Sequence, residues 1–258
     1  MPLNWLFEAL KWKESIRSQI QLKPMEAFKA VFQGISLGII TPGRVGEYGG
    51  RILYIDPKHR ISGVLGTLVC SLYQNIINIL IASIFLTFTS LSFIEHFNKF
   101  TYLTFGILLS IIVLIFILKL PFFIAKLFRI PFLAKRIKDA DALINQLKNT
   151  HQLRIFLFAF LRYIVYCLQY FLLFQIFKIS LSPSETFIAI GIIYGIQTIL
   201  PLTPLLQIGI RGSIALLVIS PLATEESMVI LASYSLWLIN LLVPSILGGV
   251  LMLLRRTK

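Results

Sequence analysis

The sequence predicts an all-α, polytopic integral membrane bundle with two inverted repeats, each containing a re-entrant hairpin of broken helices. Three observations predict this fold. Of the 258 residues, 57% are hydrophobic and only 14% are charged, which is typical of a membrane protein. The charged residues lie in short clusters between long apolar runs, so each loop can be assigned to one side of a membrane. One segment of the first half is also repeated in the second half.

Long uncharged runs indicate the spanning helices. Four runs each meet the roughly 18 to 20 apolar residues that a bilayer crossing requires, and they cover residues 61–94, 100–118, 186–210 and 227–254. A fifth run, 155–177, contains one charged residue, Arg162. Its side chain either lines a path between helices or extends toward the cytoplasmic phosphates. The short separation from Arg154 favours the second interpretation.

The loop charges orient the chain. The connection from Lys126 to Arg154 carries seven basic residues and two acidic ones, so the positive-inside rule places it in the cytoplasm. The C-terminus, with Arg255, Arg256 and Lys258, is then also cytoplasmic. Within the connection, the basic amphipathic stretch 129–150 is predicted to lie as a helix on anionic lipid. The net charge of +13 is therefore attributed to lipid contacts rather than to nucleic acid.

Two apolar regions begin and end on the same side in this topology. Residues 24–60 start and end in the cytoplasm, whereas residues 186–220 start and end outside. Each is predicted to be a re-entrant hairpin, which a bilayer tolerates only where the irregular backbone is buried in protein or lines a water-filled cavity. The second hairpin is predicted to break at Pro201, Pro204 and Gly209.

The two hairpins form an internal repeat. Residues 20–42 align with residues 179–201 at a constant offset, with eight identities in 23 positions. Both segments open on the same Pro-x-Glu pattern, a favourable first turn for a helix. Three spans separate the copies, so the hairpins enter from opposite sides, as in many transporters. We predict a single domain, 1–258, made of repeat one (about 1–122), a connection (123–150) and repeat two (about 151–258).

The repeat leaves the N-terminus unexplained. Span 155–177 should have a counterpart before residue 20, but only Leu3–Leu10 is apolar there, which is too short to cross a bilayer. Either translation starts upstream of Met1, or Asn4–Lys13 forms an interfacial helix anchored by its tryptophans and lysines.

Polar and ionisable residues at membrane depth are the candidate substrate-binding groups. The first hairpin provides Arg44, Glu47 and Arg51, and the second provides Gln207 and Arg211. Arginine suits an anionic ligand because its planar fork can bind an oxyanion through two hydrogen bonds. For each hairpin an alternative to ligand binding stays open. Glu47 could serve only to neutralise the neighbouring arginines. Independently, the side chain of Arg211 could extend outward to the membrane surface.

Glycines and prolines surround these charges. Glycine allows positive φ angles and close backbone approach, so the loop amides are predicted to face a phosphate together with the guanidinium groups. The candidates are Pro42, Gly43, Gly46, Gly49 and Gly50 in the first hairpin and Pro201, Pro204 and Gly209 in the second. A polar stripe of Gln74, Asn75 and Asn78 is interpreted as contacts between helices rather than as a substrate path.

Two common enzyme motifs are absent from the sequence. There is no HExxH and no P-loop. Cys70 and Cys167 lie in apolar runs without CxxC or Cys/His spacing, and we interpret them as unreactive thiols. We predict no catalytic residue, no metal and no cofactor, and leave open whether the protein is an enzyme.

Three stretches resemble a known family. "NWLFEALKWKESI", "TPGRVGEYGGR" and "PLTPLLQIGIRGS" are similar to the transmembrane region of the lysylphosphatidylglycerol synthetase/flippase family. In that family the membrane region is associated with moving an aminoacylated phospholipid between leaflets, and a separate soluble domain transfers the amino acid. The resemblance implies translocation rather than synthesis, because 258 residues leave no room for the soluble domain. The family's second loop commonly has paired glycines and an acid, where this sequence has Leu205, Leu206 and Gly212; the missing acid argues against a lysyl cation on the ligand.

The predicted function is a flippase or transporter of a phospholipid or lipid-linked anionic headgroup in the bacterial cytoplasmic membrane, working by alternating access. The expected partners are this substrate and anionic membrane lipids, without nucleic acid, and a homodimer is left open. Two alternatives remain. One is a membrane enzyme that acts on a lipid phosphate with Glu47 as acid or base; the other is a non-catalytic envelope assembly factor.

Overall fold

The computed structural model describes residues 1–88, 99–128, 150–200, 207–220, 222–223 and 226–256, and these residues form helices and turns without a strand. The helices are α1 (Pro2–Ser15), α2 (Pro24–Gly38), α3 (Val45–Ile52), α4 (Arg60–Phe88), α5 (Lys99–Phe128), α6 (Thr150–Ile176), α7 (Pro183–Ile199), α8 (Gln207–Ile219), α9 (Glu226–Trp237) and α10 (Val243–Arg256). Short 3-10 turns cover Pro42–Arg44 and Pro57–His59, and a π-helical turn, Leu238–Leu242, joins α9 to α10.

Three helical stretches are long and apolar enough to cross a membrane: Pro57–Thr87, His151–Ile176 and Glu226–Leu254. They coincide with three of the uncharged or nearly uncharged runs of the sequence, and the all-helical, membrane-embedded fold class is confirmed. Helix α5 covers the fourth crossing predicted near residues 100–118. The predicted surface helix at 129–150 falls almost wholly outside the described residues.

Helices α2 and α7 begin as the repeat predicts. Each has proline in its first turn and glutamate at the third helical position. The Glu26 carboxylate accepts from the Lys23 backbone N–H at 2.8 Å, and the Glu185 carboxylate accepts from the Ser182 N–H at 3.0 Å. Both carboxylates satisfy a backbone donor that the helix itself leaves unpaired. The Pro-x-Glu prediction is confirmed at both sites.

The chain reverses between α2 and α3. Gly43 and Arg44 both adopt φ of 59°, in the left-handed region, and this turns the backbone back along α2. The Gly46 N–H donates to the Thr41 hydroxyl at 2.8 Å and so caps the start of α3. With eight residues, α3 is about 12 Å long, too short to cross a bilayer. Helices α7 and α8 form a second hairpin, in which the two helices pack against each other. The re-entrant placement of both hairpins stays a prediction.

Glycines bring α2 and α3 together. A Cβ added at Gly46 would collide with the Leu37 carbonyl, and one added at Gly50 would collide with the backbone of Gln33 and Gly34. These glycines therefore allow a close backbone approach, as expected. They approach the backbone of α2, however, and not a phosphate. Among the described glycines, only Gly43 has a positive φ.

Replacing Gly50 by alanine is expected to destabilise the protein by about 1–3 kcal/mol, because the added methyl group must push two packed backbones apart. Gly49→Ala is the matched control, since a Cβ there meets nothing within 4 Å, and the helix interior favours alanine by about 0.5–1 kcal/mol. Thermal unfolding in detergent measures both. Equal loss in the two variants would contradict this packing role.

Helix α1 lies inside the bundle. Trp5, Lys11 and Trp12 are almost completely buried, and the Trp12 indole N–H donates to the Gly63 carbonyl at 3.4 Å. Helix α1 packs along α6 and also against α2 and α4. The interfacial-helix alternative for Asn4–Lys13 is therefore wrong, because its tryptophans fill the protein core rather than a lipid headgroup layer.

The two halves of the chain pack across each other. Helix α10 lies on α2, and α4 lies on α7, so a long helix of each half covers the hairpin of the other half. Glycine allows close contact at both places: Gly248 lies against the Phe32 carbonyl, and Gly191 lies against the Phe85 ring. This packing of each half on the hairpin of the other half fits the predicted inverted repeats.

Candidate functional site

A cavity of about 300 Å³ lies between the two hairpins and the long helices that cover them. Its wall combines arginines, tyrosines and uncharged polar side chains from both halves of the chain. Arg162, Tyr163 and Tyr166 reach it from near the middle of α6, which places the cavity at mid-depth if α6 crosses the membrane. Its other lining residues are Gly43, Arg44, Gln74, Asn75, Asn78, Tyr194, Gln197, Thr198, Leu200, Arg211, Leu236, Trp237, Asn240 and Leu241.

Three guanidinium groups face this cavity. Arg44 comes from the turn of the first hairpin, Arg211 from the second hairpin and Arg162 from α6. None of the described side chains on the wall is acidic. The wall is therefore positively charged in a setting where charges are screened less than in water.

Glu8 is the centre of the ion-pair network behind the wall. Its carboxylate is 2.8 Å from the Arg51 guanidinium, 2.7 Å from the Lys11 ammonium and 2.7 Å from the Arg162 guanidinium. The Glu8 residue is only 4% exposed and Arg51 only 3%. One buried acid thus holds three cations from α1, α3 and α6, which fixes these helices relative to one another.

Hydrogen bonds extend the network across the bundle. The Arg162 Nε–H donates to the Asn4 side chain at 2.8 Å, and Asn4 donates to Asn240 at 2.8 Å. Arg162 also donates to the Tyr166 hydroxyl at 3.2 Å, and its guanidinium lies 5.3 Å from the Tyr166 ring centroid. Lys11 donates to Gln74 at 3.3 Å. The arginine is therefore held by partners on several sides.

Glu47 lies between two arginines of its own hairpin. Its carboxylate pairs with Arg44 and is 3.6 Å from the Arg51 guanidinium. The pairing with neighbouring arginines that the alternative for Glu47 predicts is therefore present. The same contacts link Arg44 on the cavity wall to the network around Glu8.

The cavity wall and its network carry excess positive charge. Five cations (Lys11, Arg44, Arg51, Arg162 and Arg211) accompany two acids (Glu8 and Glu47), and five minus two leaves a formal charge of +3 over these seven residues. An excess of one sign of charge in a protein interior is costly. An anion in the cavity would lower that cost.

The sequence-predicted site residues fall into separate places. Arg44 and Arg211 lie on the cavity wall, whereas Arg51 is buried behind it. Pro42 is the first residue of the 3-10 turn that ends at Arg44. Gly209 lies inside α8, so its predicted place in the break of the second hairpin is wrong. Pro201, Pro204 and the side chain of Gln207 lie outside the described residues.

Sequence reasoning missed Glu8 and misplaced Arg162. The interpretation that Arg162 extends to the cytoplasmic phosphates is wrong, because its guanidinium is bound to Glu8 and Asn4 inside the bundle. Asn4, Glu8 and Lys11 recur at helical spacing on one face of α1. This polar face on an otherwise apolar helix could have identified Glu8 as a candidate from the sequence. The polar stripe at Gln74, Asn75 and Asn78 also lines the cavity, and Asn78 donates to Thr198 at 3.0 Å.

Comparison with known proteins identifies a family for this chain. The profile of the family described as Lysylphosphatidylglycerol synthase TM region matches residues 1–255. No curated protein and no solved structure matches the chain. Among the described residues, no group of three or more His, Cys, Asp and Glu side chains comes together to hold a metal ion.

Proposed function

We propose, from the premise that this chain belongs to the lysylphosphatidylglycerol synthase TM-region family, that it moves a phospholipid or lipid-linked anionic headgroup across the bacterial cytoplasmic membrane. The chain is an integral membrane protein of a family related to lipid modification or transport. The observation that carries the proposal is the cavity between the hairpins, lined by three arginines and by no described acid.

The cavity has the properties that headgroup passage requires. A phosphate in the bilayer core must exchange its water for other donors, and arginine donates two parallel hydrogen bonds to an oxyanion. Arg44, Arg162 and Arg211 can share one phosphate because they face the same space. The acyl chains of the lipid would stay outside, against the exposed apolar side chains of the long helices.

Alternating access would arise from the repeats. In inverted-repeat transporters, each half can adopt the conformation of the other, and this opens a central site to either side in turn. The crossed packing of α4 on α7 and α10 on α2 supports such an exchange. The contact of Glu14 with His151 and Arg154 joins α1 to the basic end of α6, and we propose that this end lies at the cytoplasmic surface together with the C-terminus.

A variant that fills the cavity tests this function. Asn75 is exposed to the cavity, so Asn75→Trp is expected to reduce translocation of a fluorescent phospholipid in proteoliposomes by about tenfold or more, since an indole would occupy the space that a headgroup needs. The assay follows bleaching of outer-leaflet label by dithionite.

The matched control is Ile246→Trp, which places the same indole on an exposed position of α10 and should leave translocation unchanged. Wild-type protein that moves no lipid faster than empty liposomes would contradict the proposed function. Chemical turnover of the lipid during the assay would favour the enzyme alternative instead.

A further inference from the structure

We infer, on the basis of the proposed function, that the cavity selects an anionic headgroup that carries hydroxyl groups and no amine. The relevant chemistry is a phosphate joined to a glycerol or sugar unit. A lysyl-bearing headgroup is disfavoured at this site, although the family is described by a lysyl lipid.

The charge of the wall argues for this selectivity. An amine entering the cavity would meet Arg44, Arg162 and Arg211, and like charges repel strongly at the low effective dielectric of a protein interior. The two network acids do not offset this. Glu8 already binds three cations, and Glu47 lies between Arg44 and Arg51.

The uncharged polar groups of the wall suit hydroxyls. Amide side chains and hydroxyls can both donate and accept a hydrogen bond, as the hydroxyls of a glycerol or sugar also do. An ammonium group only donates, and it needs acceptors at every N–H. The wall supplies six such neutral side chains: Gln74, Asn75, Asn78, Gln197, Thr198 and Asn240. Asn75 is exposed to the cavity, in position to meet the headgroup.

Three phospholipids with the same fluorescent acyl chain test the inference in wild-type proteoliposomes. They are phosphatidylglycerol, phosphatidylethanolamine and lysylphosphatidylglycerol, whose headgroups carry no amine, one amine and two amines. We expect phosphatidylglycerol to move at least about tenfold faster than the lysyl lipid, with phosphatidylethanolamine between them. A lysyl lipid that moves as fast as phosphatidylglycerol overturns the inference and leaves the proposed function standing. If neither these phospholipids nor a polyprenyl phosphate carrying a sugar moves, the proposed function itself fails.

A further lipid distinguishes the two sources of this headgroup chemistry. A labelled polyprenyl phosphate carrying one sugar is added to the same vesicles. Movement of phosphatidylglycerol alone identifies a glycerophospholipid as the substrate, and movement of the polyprenyl lipid alone identifies a lipid-linked sugar. In either case the lysyl lipid must remain the slower one.

A single added acid should change the selectivity. Asn75→Asp places a carboxylate on the cavity wall with almost no change of shape, and we expect the rate ratio of phosphatidylglycerol to the lysyl lipid to fall by about tenfold. Asn75→Leu is the matched control, because it also removes the amide but adds no charge, so its ratio should stay high. An unchanged ratio in Asn75→Asp would show that wall charge does not set selectivity.

Discussion

Glu8→Gln is expected to lower the apparent melting temperature in detergent by about 10 °C. The change removes a buried negative charge and leaves Lys11, Arg51 and Arg162 next to one another. Removing one partner of a buried ion pair costs about 3–5 kcal/mol of stability. In a domain of this size, each kcal/mol lost lowers the melting temperature by roughly 2–4 °C. The three helices α1, α3 and α6 should separate first, because Glu8 joins them.

The control for this prediction is Glu226→Gln. It makes the same chemical change at an exposed position in the first turn of α9, where little stability depends on the charge. A second variant separates charge from shape: Glu8→Gln combined with Lys11→Met removes one of the three cations and should recover part of the loss. Equal melting temperatures for wild type and Glu8→Gln would show that the network does not hold α1 in place.

The crossings could be predicted because hydrophobic length and loop charge are local properties of the sequence. The apolar runs at 61–94, 155–177 and 227–254 each correspond to a long helix of the structure. The start of α2 at Pro24 and that of α7 at Pro183 followed in the same way from the order of a few neighbouring residues.

The ion-pair network could not be predicted, because it depends on distant residues. Glu8 and Arg162 are 154 positions apart, and nothing near either residue identifies its partner. Without Glu8, Arg162 was an isolated charge whose simplest partner was a lipid phosphate. The burial of α1 among the other helices was missed for the same reason. A helix of 14 residues is too short to cross a membrane, so on its own it does not indicate that it packs inside the bundle.

The glycines could have been interpreted better. Gly34 and Gly38 on α2 have the same four-residue spacing as Gly46 and Gly50 on α3, and small residues at this spacing are typical of closely packed membrane helices. The proximity of Arg44, Glu47 and Arg51 suggested a ligand instead. In the structure, packing explains Gly46 and Gly50, and the charged side chains have separate roles.

Arg51 and Arg211 show why an arginine among apolar helices does not by itself identify a ligand contact. Arg51 is bound to Glu8 and lies near Glu47, so its removal would take one buried cationic partner from both acids and would disturb the fold. Arg211 lies on the cavity wall, together with Arg44 and Arg162. A substitution at Arg211 is therefore the better test of ligand binding.

Arg211→Gln is expected to slow translocation of an anionic phospholipid by about 10- to 100-fold without lowering the melting temperature. A hydrogen bond to a charged group contributes about 1.5–3 kcal/mol, which corresponds to that range of rates if it forms during passage of the headgroup. The fold should tolerate the change, because removing one cation reduces repulsion with Arg44 and Arg162 on the same wall. Function and stability would then change independently, as they often do at a binding site.

Arg17→Gln is the control, since it removes an arginine whose side chain is half-exposed and whose pair with Glu14 lies at the C-terminal end of α1. Both variants are assayed in proteoliposomes for translocation and in detergent for thermal unfolding. If Arg211→Gln lowers the rate and the melting temperature together, its effect is structural and the residue does not bind the headgroup. If neither quantity changes, the second hairpin contributes no charge to transport, and the anion must be bound by Arg44 and Arg162 alone.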